Sequence, residues 1–124
     1  MKKRIFAALC VLLLILSLSA CAAKKTTCTL TIACETALTS AGLDAETVAA
    51  LPSDGYLLPA TEVEFTDGES VLEVLRRTAQ EHALTLDVVD GEYPYVNAIG
   101  PLAGGSAGPM AGWLVSVNGE YPSV

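Results

Sequence analysis

The groups able to do chemistry in this chain are few: four cysteines, one histidine, fourteen carboxylates and a single tryptophan among 124 residues. Cys28 and Cys34 bracket the run Cys28-Thr-Leu-Thr-Ile-Ala-Cys34, in which Cys28, Leu30, Ile32 and Cys34 alternate with Thr29, Thr31 and Ala33. That period of two is the mark of a half-buried strand, with both thiols on its apolar face. Six residues of strand separate them by about 20 Å, several times the reach of a disulfide. They cannot bridge each other in a straight strand. Either both stay as buried free thiols, or one pairs with a cysteine in a segment after Val124. Glu62 and Glu64 sit two apart in Thr61-Glu-Val-Glu-Phe65. Carboxylates at that spacing share one strand face, and no histidine or further carboxylate stands at ligand spacing to them, so a solvated face is expected and no metal site. His82 stands alone near a helix end, where a cationic imidazole is favoured by the dipole. No Ser-His-Asp order surrounds a nucleophile elbow. The chain is therefore expected not to be an enzyme.

The fourth group of interest, Cys21, depends on what precedes it. Lys2, Lys3 and Arg4 form a basic start, and Ile5 to Leu18 is an apolar run. A bilayer span needs roughly 20 residues, so this run is short for one and fits the core of a secretion signal. It ends in Leu18-Ser19-Ala20-Cys21, similar to the bacterial lipobox. Small residues at 19 and 20 suit a signal peptidase, and the Cys21 thiol can carry a diacylglycerol thioether. The division expected is a lipoprotein signal peptide at 1–20, a lipid-anchored tether at 21–27 and one domain at 28–124. That domain would stand at the outward face of a bacterial cell membrane, held there through lipidated Cys21. Cys10 would be discarded with the signal.

Charge narrows the partners. Cleavage before Cys21 removes three of the seven basic residues and none of the fourteen acids. So acidic a chain can neither neutralise phosphates nor be steered toward them, which excludes nucleic acid as a partner.

Several elements are needed to position these groups. Asp44 is placed to cap a short helix running to Leu51, which Pro52 ends. Ser53-Asp-Gly55 is a turn, Tyr56 to Leu58 a short strand cut off by Pro59, and Thr61 to Phe65 a second strand. Ser70-Val-Leu-Glu73 is a capping box opening the main helix, with Val71, Leu72, Leu75 and Ala79 as its apolar stripe and Val74 beside it. Arg76, Arg77, Gln80 and Glu81 should face water. Leu84, Leu86 and Val88 alternate as a strand. Tyr93 to Ile99 is another, at a sheet edge because it contains Pro94. Residues 100–112 are rich in glycine and proline and lack a regular pattern. No Lys-Ser/Thr follows and no helix opens there, so they are not a phosphate cradle. Either they are a long surface connection, or they are a mobile loop that contacts a ligand or partner. Trp113, Val115 and Val117 then alternate as a strand entering an Asn118-Gly119 type I′ turn. Only five residues follow, so the hairpin is expected to be cut short and the chain to be a fragment.

Three blocks carry a resemblance: Phe65 to Leu75, Tyr95 to Ile99, and Gly112 to Pro122. In order and spacing they resemble the transcobalamin-like C-terminal domain of bacterial surface lipoproteins, a module of unknown function related to the β-domain of transcobalamin and intrinsic factor. The resemblance covers roughly residues 28–124. It implies an α+β fold, a small β-grasp-like domain with a mixed sheet of about five strands and one main helix packed on it. In that family a further segment follows the Asn-Gly hairpin, ending in a strand with a Trp or Tyr, so the final strands would be missing here. Members with a cysteine at the place of Cys34 often carry another near that last strand. The resemblance further implies a lipid-anchored, non-enzymatic binding module with a corrinoid such as cobalamin, or another small ligand, as ligand at the 100–113 loop. Tyr95, Gly112 and Trp113 would be its contact residues. The alternative is a structural or adhesive module that binds a protein or a surface polymer.

Overall fold

The computed structural model describes residues 25–122. The signal expected at 1–20, Cys10, Cys21 and the start of the tether lie outside the described residues. Within them the chain is α+β, with three helices and five strands. In order these are β1 (Thr26–Ala33), α1 (Glu35–Leu38), α2 (Ala45–Ala50), β2 (Tyr56–Phe65), α3 (Val71–Glu81), β3 (Leu86–Val89), β4 (Tyr95–Ile99) and β5 (Leu102–Ala103). The strands form two sheets, a pair β1-β2 and a triplet β3-β4-β5, with every pairing antiparallel.

The β1 alternation buries Ile32 and half-buries Leu30, but its first half is exposed on both faces, Cys28 included. Cys34 does not share that strand. It stands after β1, buried, at the N-terminal end of α1, so the two thiols differ in environment, and both are free. β2 is one strand and not two. Pro59 sits in it because two register irregularities place extra residues in β2: Pro59 and Ala60 face Thr31 alone, and Leu57 faces none. A bulge needs no N–H from its extra residue, which is how proline is accommodated.

The capping box forms as expected, with the Glu73 N–H donating to Ser70 Oγ (3.1 Å) and the Ser70 N–H to Glu73 Oε2 (2.7 Å). The buried stripe of α3 is rotated from the one expected. Val74, Thr78 and Ala79 are buried, whereas Val71 is 47% exposed. Thr78 sits inside because its hydroxyl donates to the Val74 carbonyl one turn back, at 2.8 Å, and so carries no unmet polar group inward. Arg77 is also less solvated than expected. Its guanidinium forks onto Glu69 and donates to the Glu64 carbonyl, tying α3 to β2.

β4 is the middle strand of its sheet, because Pro94 precedes it and does not interrupt it. Trp113 to Val117 is not a strand. Among the described residues its only pairing is the bridge of Val117 with Glu120, across a turn with φ 51° at Asn118 and 80° at Gly119. The turn expected of Asn-Gly is present, and among the described residues no ladder stands behind it. Two apolar clusters fill the interior. One joins Ile32, Leu58 and Ile99, and the other joins Cys34, Leu51 and Leu102. Leu57 and Trp113 pack against both.

Candidate functional site

The 100–113 loop is built by its own backbone. β5 turns it back so that the Gly104 N–H donates to the Asn97 carbonyl of β4 at 2.7 Å. The Gly105 N–H donates to the Ala111 carbonyl (2.8 Å), closing the neck of an Ω-shaped tip, Ser106 to Met110. Inside the tip, Gly108 donates to Gly105 and Ala111 to Gly108. The tip is also tied to the helical side of the molecule, where Ser40 Oγ donates to the Ala107 carbonyl at 2.9 Å. Gly42 makes that approach possible: a Cβ there would lie 2.7 Å from the same oxygen. The loop is thus held by backbone bonds at its neck and by Ser40 at its tip.

The loop brings two of the three expected contact residues together and sets the third nearby. Trp113 follows Gly112 directly, and its indole Nε1 donates to the Leu102 carbonyl at 3.0 Å. The ring is half-buried and packs against both clusters, so much of its area serves the core. Gly112 is exposed. Tyr95 is 58% exposed and stands on β4 two residues from Asn97, where the neck is tied. Met110, at the end of the tip, is 97% exposed, and Leu114 beyond Trp113 is 79% exposed. Met110 was not singled out from sequence, since nothing in a glycine-rich run tells which apolar residue faces out. Leu102 was missed for a related reason: Pro101 and Gly104 hide a two-residue strand that buries it.

Two open clefts lie elsewhere. One, of about 430 Å³, is lined by Lys25, Thr26, Glu64 to Asp67, Glu69 and Arg77. Within it Lys25 pairs with Glu64 at 3.3 Å and Arg77 with Glu69. Arg77, with the Thr66 N–H, holds the Glu69 carboxyl below the usual glutamate range. The second, of about 370 Å³, is lined by Glu62 to Glu64, Arg77, Thr78, Glu81 and His82. His82 ends α3 as its C-cap. Among the described residues no group of three or more His, Cys, Asp or Glu is arranged to hold a metal ion.

Of the free thiols, Cys28 is exposed on β1 and Cys34 is buried with Leu51 and Leu102. Burial, then the negative charges of Asp54 and Glu35, raise the Cys34 thiol above its usual range, which disfavours the nucleophilic thiolate.

No protein-family profile, curated protein or solved structure matches this chain. The resemblance described above therefore rests on the three sequence blocks alone. Among the described residues no helix is long and apolar enough to cross a membrane.

Proposed function

We propose that the protein is a lipid-anchored, outward-facing surface module of a bacterium, that it binds through the 100–113 loop, and that it catalyses no reaction. The pinned loop carries this reading. Its backbone is held at Asn97, Ala111 and Ser40, while Met110 and Leu114 present apolar side chains to solvent. A preformed loop loses little freedom on binding, and exposed apolar groups on it reward contact. The occupant favoured is a broad one, a protein or a surface polymer, because Met110 and Leu114 stand out into solvent, 97% and 79% exposed. A corrinoid is the second reading. It is favoured by Trp113, a half-buried indole that directly follows Gly112 and offers a flat apolar ring.

The domain is read as β-grasp-like. Support comes from Ile32 and Leu58 of one sheet meeting Ile99 of the other in one cluster, with Leu75 of α3 packed against it.

Two measurements test the proposal. Expressed in a bacterium, the protein should partition into detergent and label with a palmitate analogue, and Cys21→Ser should do neither; a soluble, unlabelled wild type overturns the anchor. For binding, the purified protein is sedimented with isolated cell-wall polymer and, separately, dialysed against cobinamide. Retention on the polymer that Met110→Ser/Leu114→Ser abolishes supports the broad partner. Saturable cobinamide binding weakened by Trp113→Phe supports the corrinoid. Binding to either that ignores these substitutions removes the loop from the proposal.

A further inference from the structure

The chain has two asparagines, Asn97 and Asn118, and only Asn118 precedes a glycine. An asparagine carboxamide is electrophilic at Cγ, and the backbone nitrogen of the next residue can close a five-membered ring onto it. Ring closure asks three things of the structure. The nitrogen must be unshielded, it must be free of a hydrogen bond, and the backbone between the two groups must be able to rotate.

Asn118 and Gly119 meet all three. Both are exposed, and a Cβ at Gly119 would have nothing within 4 Å. Among the described residues the Gly119 N–H donates to no acceptor. The turn is closed by two bonds, from the Val117 N–H to the Glu120 carbonyl (2.8 Å) and from the Glu120 N–H to the Val117 carbonyl (3.0 Å). With no ladder behind them among the described residues, such a turn opens locally at little cost. Asn118 is also held at φ 51°, in the left-handed region, so opening relieves a backbone conformation that a Cβ disfavours.

Elsewhere the fold withholds these conditions. Asn97 is half-buried in the middle strand β4, its Nδ2 donates to Asp87 at 2.7 Å, its carbonyl accepts from the Gly104 N–H, and the next residue, Ala98, carries a Cβ. In Asp54-Gly55 the Gly55 N–H donates to the Pro52 carbonyl, and the carboxylate accepts from the Tyr56 N–H. In Asp90-Gly91 the carboxylate is paired with Arg76. These two pairs and Asp67-Gly68 offer a carboxylate, an anion that repels a nucleophile, whereas the carboxamide of Asn118 is neutral and can release ammonia.

We propose that Asn118 is a site of spontaneous covalent modification, converted to aspartate and isoaspartate through a cyclic imide formed with Gly119. Base takes the Gly119 amide proton, and the nitrogen bonds to Asn118 Cγ. The carboxamide C–N bond breaks, and its nitrogen leaves as ammonia with the proton returned to it. Water then adds to one of the two ring carbonyls and breaks that carbonyl's bond to the Gly119 nitrogen. Opening at Cγ gives aspartate. Opening at the backbone carbonyl gives isoaspartate, with Cβ now in the main chain. Water is the only reagent consumed. Isoaspartate lengthens the chain inside the turn, so the two bonds that close it are lost. Either product places a negative charge beside Val115 and Val117, which are 50% and 44% exposed.

The test uses the full purified chain in mild detergent, incubated from mildly acidic to mildly alkaline pH. Peptides are then resolved by mass, and isoaspartate is scored by enzymatic methylation of its free carboxyl. Asn118 should gain the mass difference between amide and acid, faster as pH rises, because the deprotonated amide is the nucleophile. Both products should form. The rate in the native chain should lie within a few-fold of the rate in urea, whereas Asn97 should convert far more slowly in the native chain than Asn118 does. Gly119→Ala sets a Cβ beside the nitrogen and should slow conversion about tenfold or more. It should do so in urea as well, so its effect is read whether or not the turn forms. An Asn118 that stays intact in the native chain while urea converts it would mean that the turn stays shut, and overturns the proposal. So does a product that is aspartate alone, which marks direct hydrolysis without the ring, or a rate that Gly119→Ala leaves unchanged.

Discussion

Glu69 shows how much one side chain can decide. It accepts from the Arg77 guanidinium and from the Thr66 N–H, and so holds the turn before α3 against the helix that follows. Both contacts favour its ionised form and lower its pKa. The sign of the pH dependence follows. A carboxyl depressed in the folded state adds stability that is fully present above the ordinary glutamate value, about 4.3, and is lost as pH falls through the folded value. Denaturant unfolding of wild type and Glu69→Gln should therefore differ at neutral pH, with the wild type more stable. The difference should shrink through the acid range, and a difference unchanged between neutral and strongly acidic pH would show that Glu69 acts by packing instead. Residues of this kind were not legible in the sequence. Glu69 is one of fourteen carboxylates, and only the fold brings Arg77 within reach of it. The burial of Thr78 was hidden similarly, since its bond to the Val74 carbonyl is a local event that composition does not report. Trp113 was legible as a notable residue but not in its role, because indole area serves a core or a ligand equally well.

Elements were legible where a local signal both starts and stops them. Asp44 caps α2, its carboxylate accepting from the Thr47 N–H at 2.8 Å, and Leu51 before Pro52 ends it. Ser70 and Glu73 open α3. The end of α3 was less legible. The Ala83 N–H donates to the Gln80 carbonyl and the Leu84 N–H to the Ala79 carbonyl, the bonds of a Schellman motif, with Ala83 at φ 54°. Glycine usually announces that position, and an alanine there is silent. It is also strained, since a Cβ in the left-handed region costs about 1 kcal/mol. Ala83→Gly should thus stabilise the protein by roughly 0.5–1 kcal/mol, offset in part by the freer unfolded chain. Thermal unfolding checks this, and a loss of stability would mean that Ala83 makes a compensating contact. Strands failed where tertiary pairing overrode pattern. Val115 and Val117 alternate well but find no ladder among the described residues, while Leu102 and Ala103 form a strand because β4 lies beside them.

At the scale of the molecule the question is what makes two small sheets one cooperative unit. A two-stranded ribbon is marginal by itself in water. The sheets do not pair with each other among the described residues, so side chains must couple them. Ile99 does so directly, by meeting Ile32 and Leu58, and two further residues join that cluster to the other. Leu57, in a bulge of β2, packs against the cluster of Ile32, Leu58 and Ile99 and against that of Cys34, Leu51 and Leu102. Trp113 does the same from the far side of the loop, and it is the only tryptophan. Its fluorescence therefore reports the junction, whereas backbone circular dichroism reports helices and strands everywhere. In urea the two signals should change together for the wild type, as a two-state unit requires. Leu57→Ala removes packing from both clusters at once. It should cost about 2–4 kcal/mol, and the tryptophan transition should then move below the backbone transition as the junction opens first. Val48→Ala, on an exposed face of α2, controls for general loss of stability and should leave the two transitions superimposed. Superimposed transitions in Leu57→Ala as well would show that the contact of Ile99 with Ile32 and Leu58, together with Trp113, couples the sheets without Leu57.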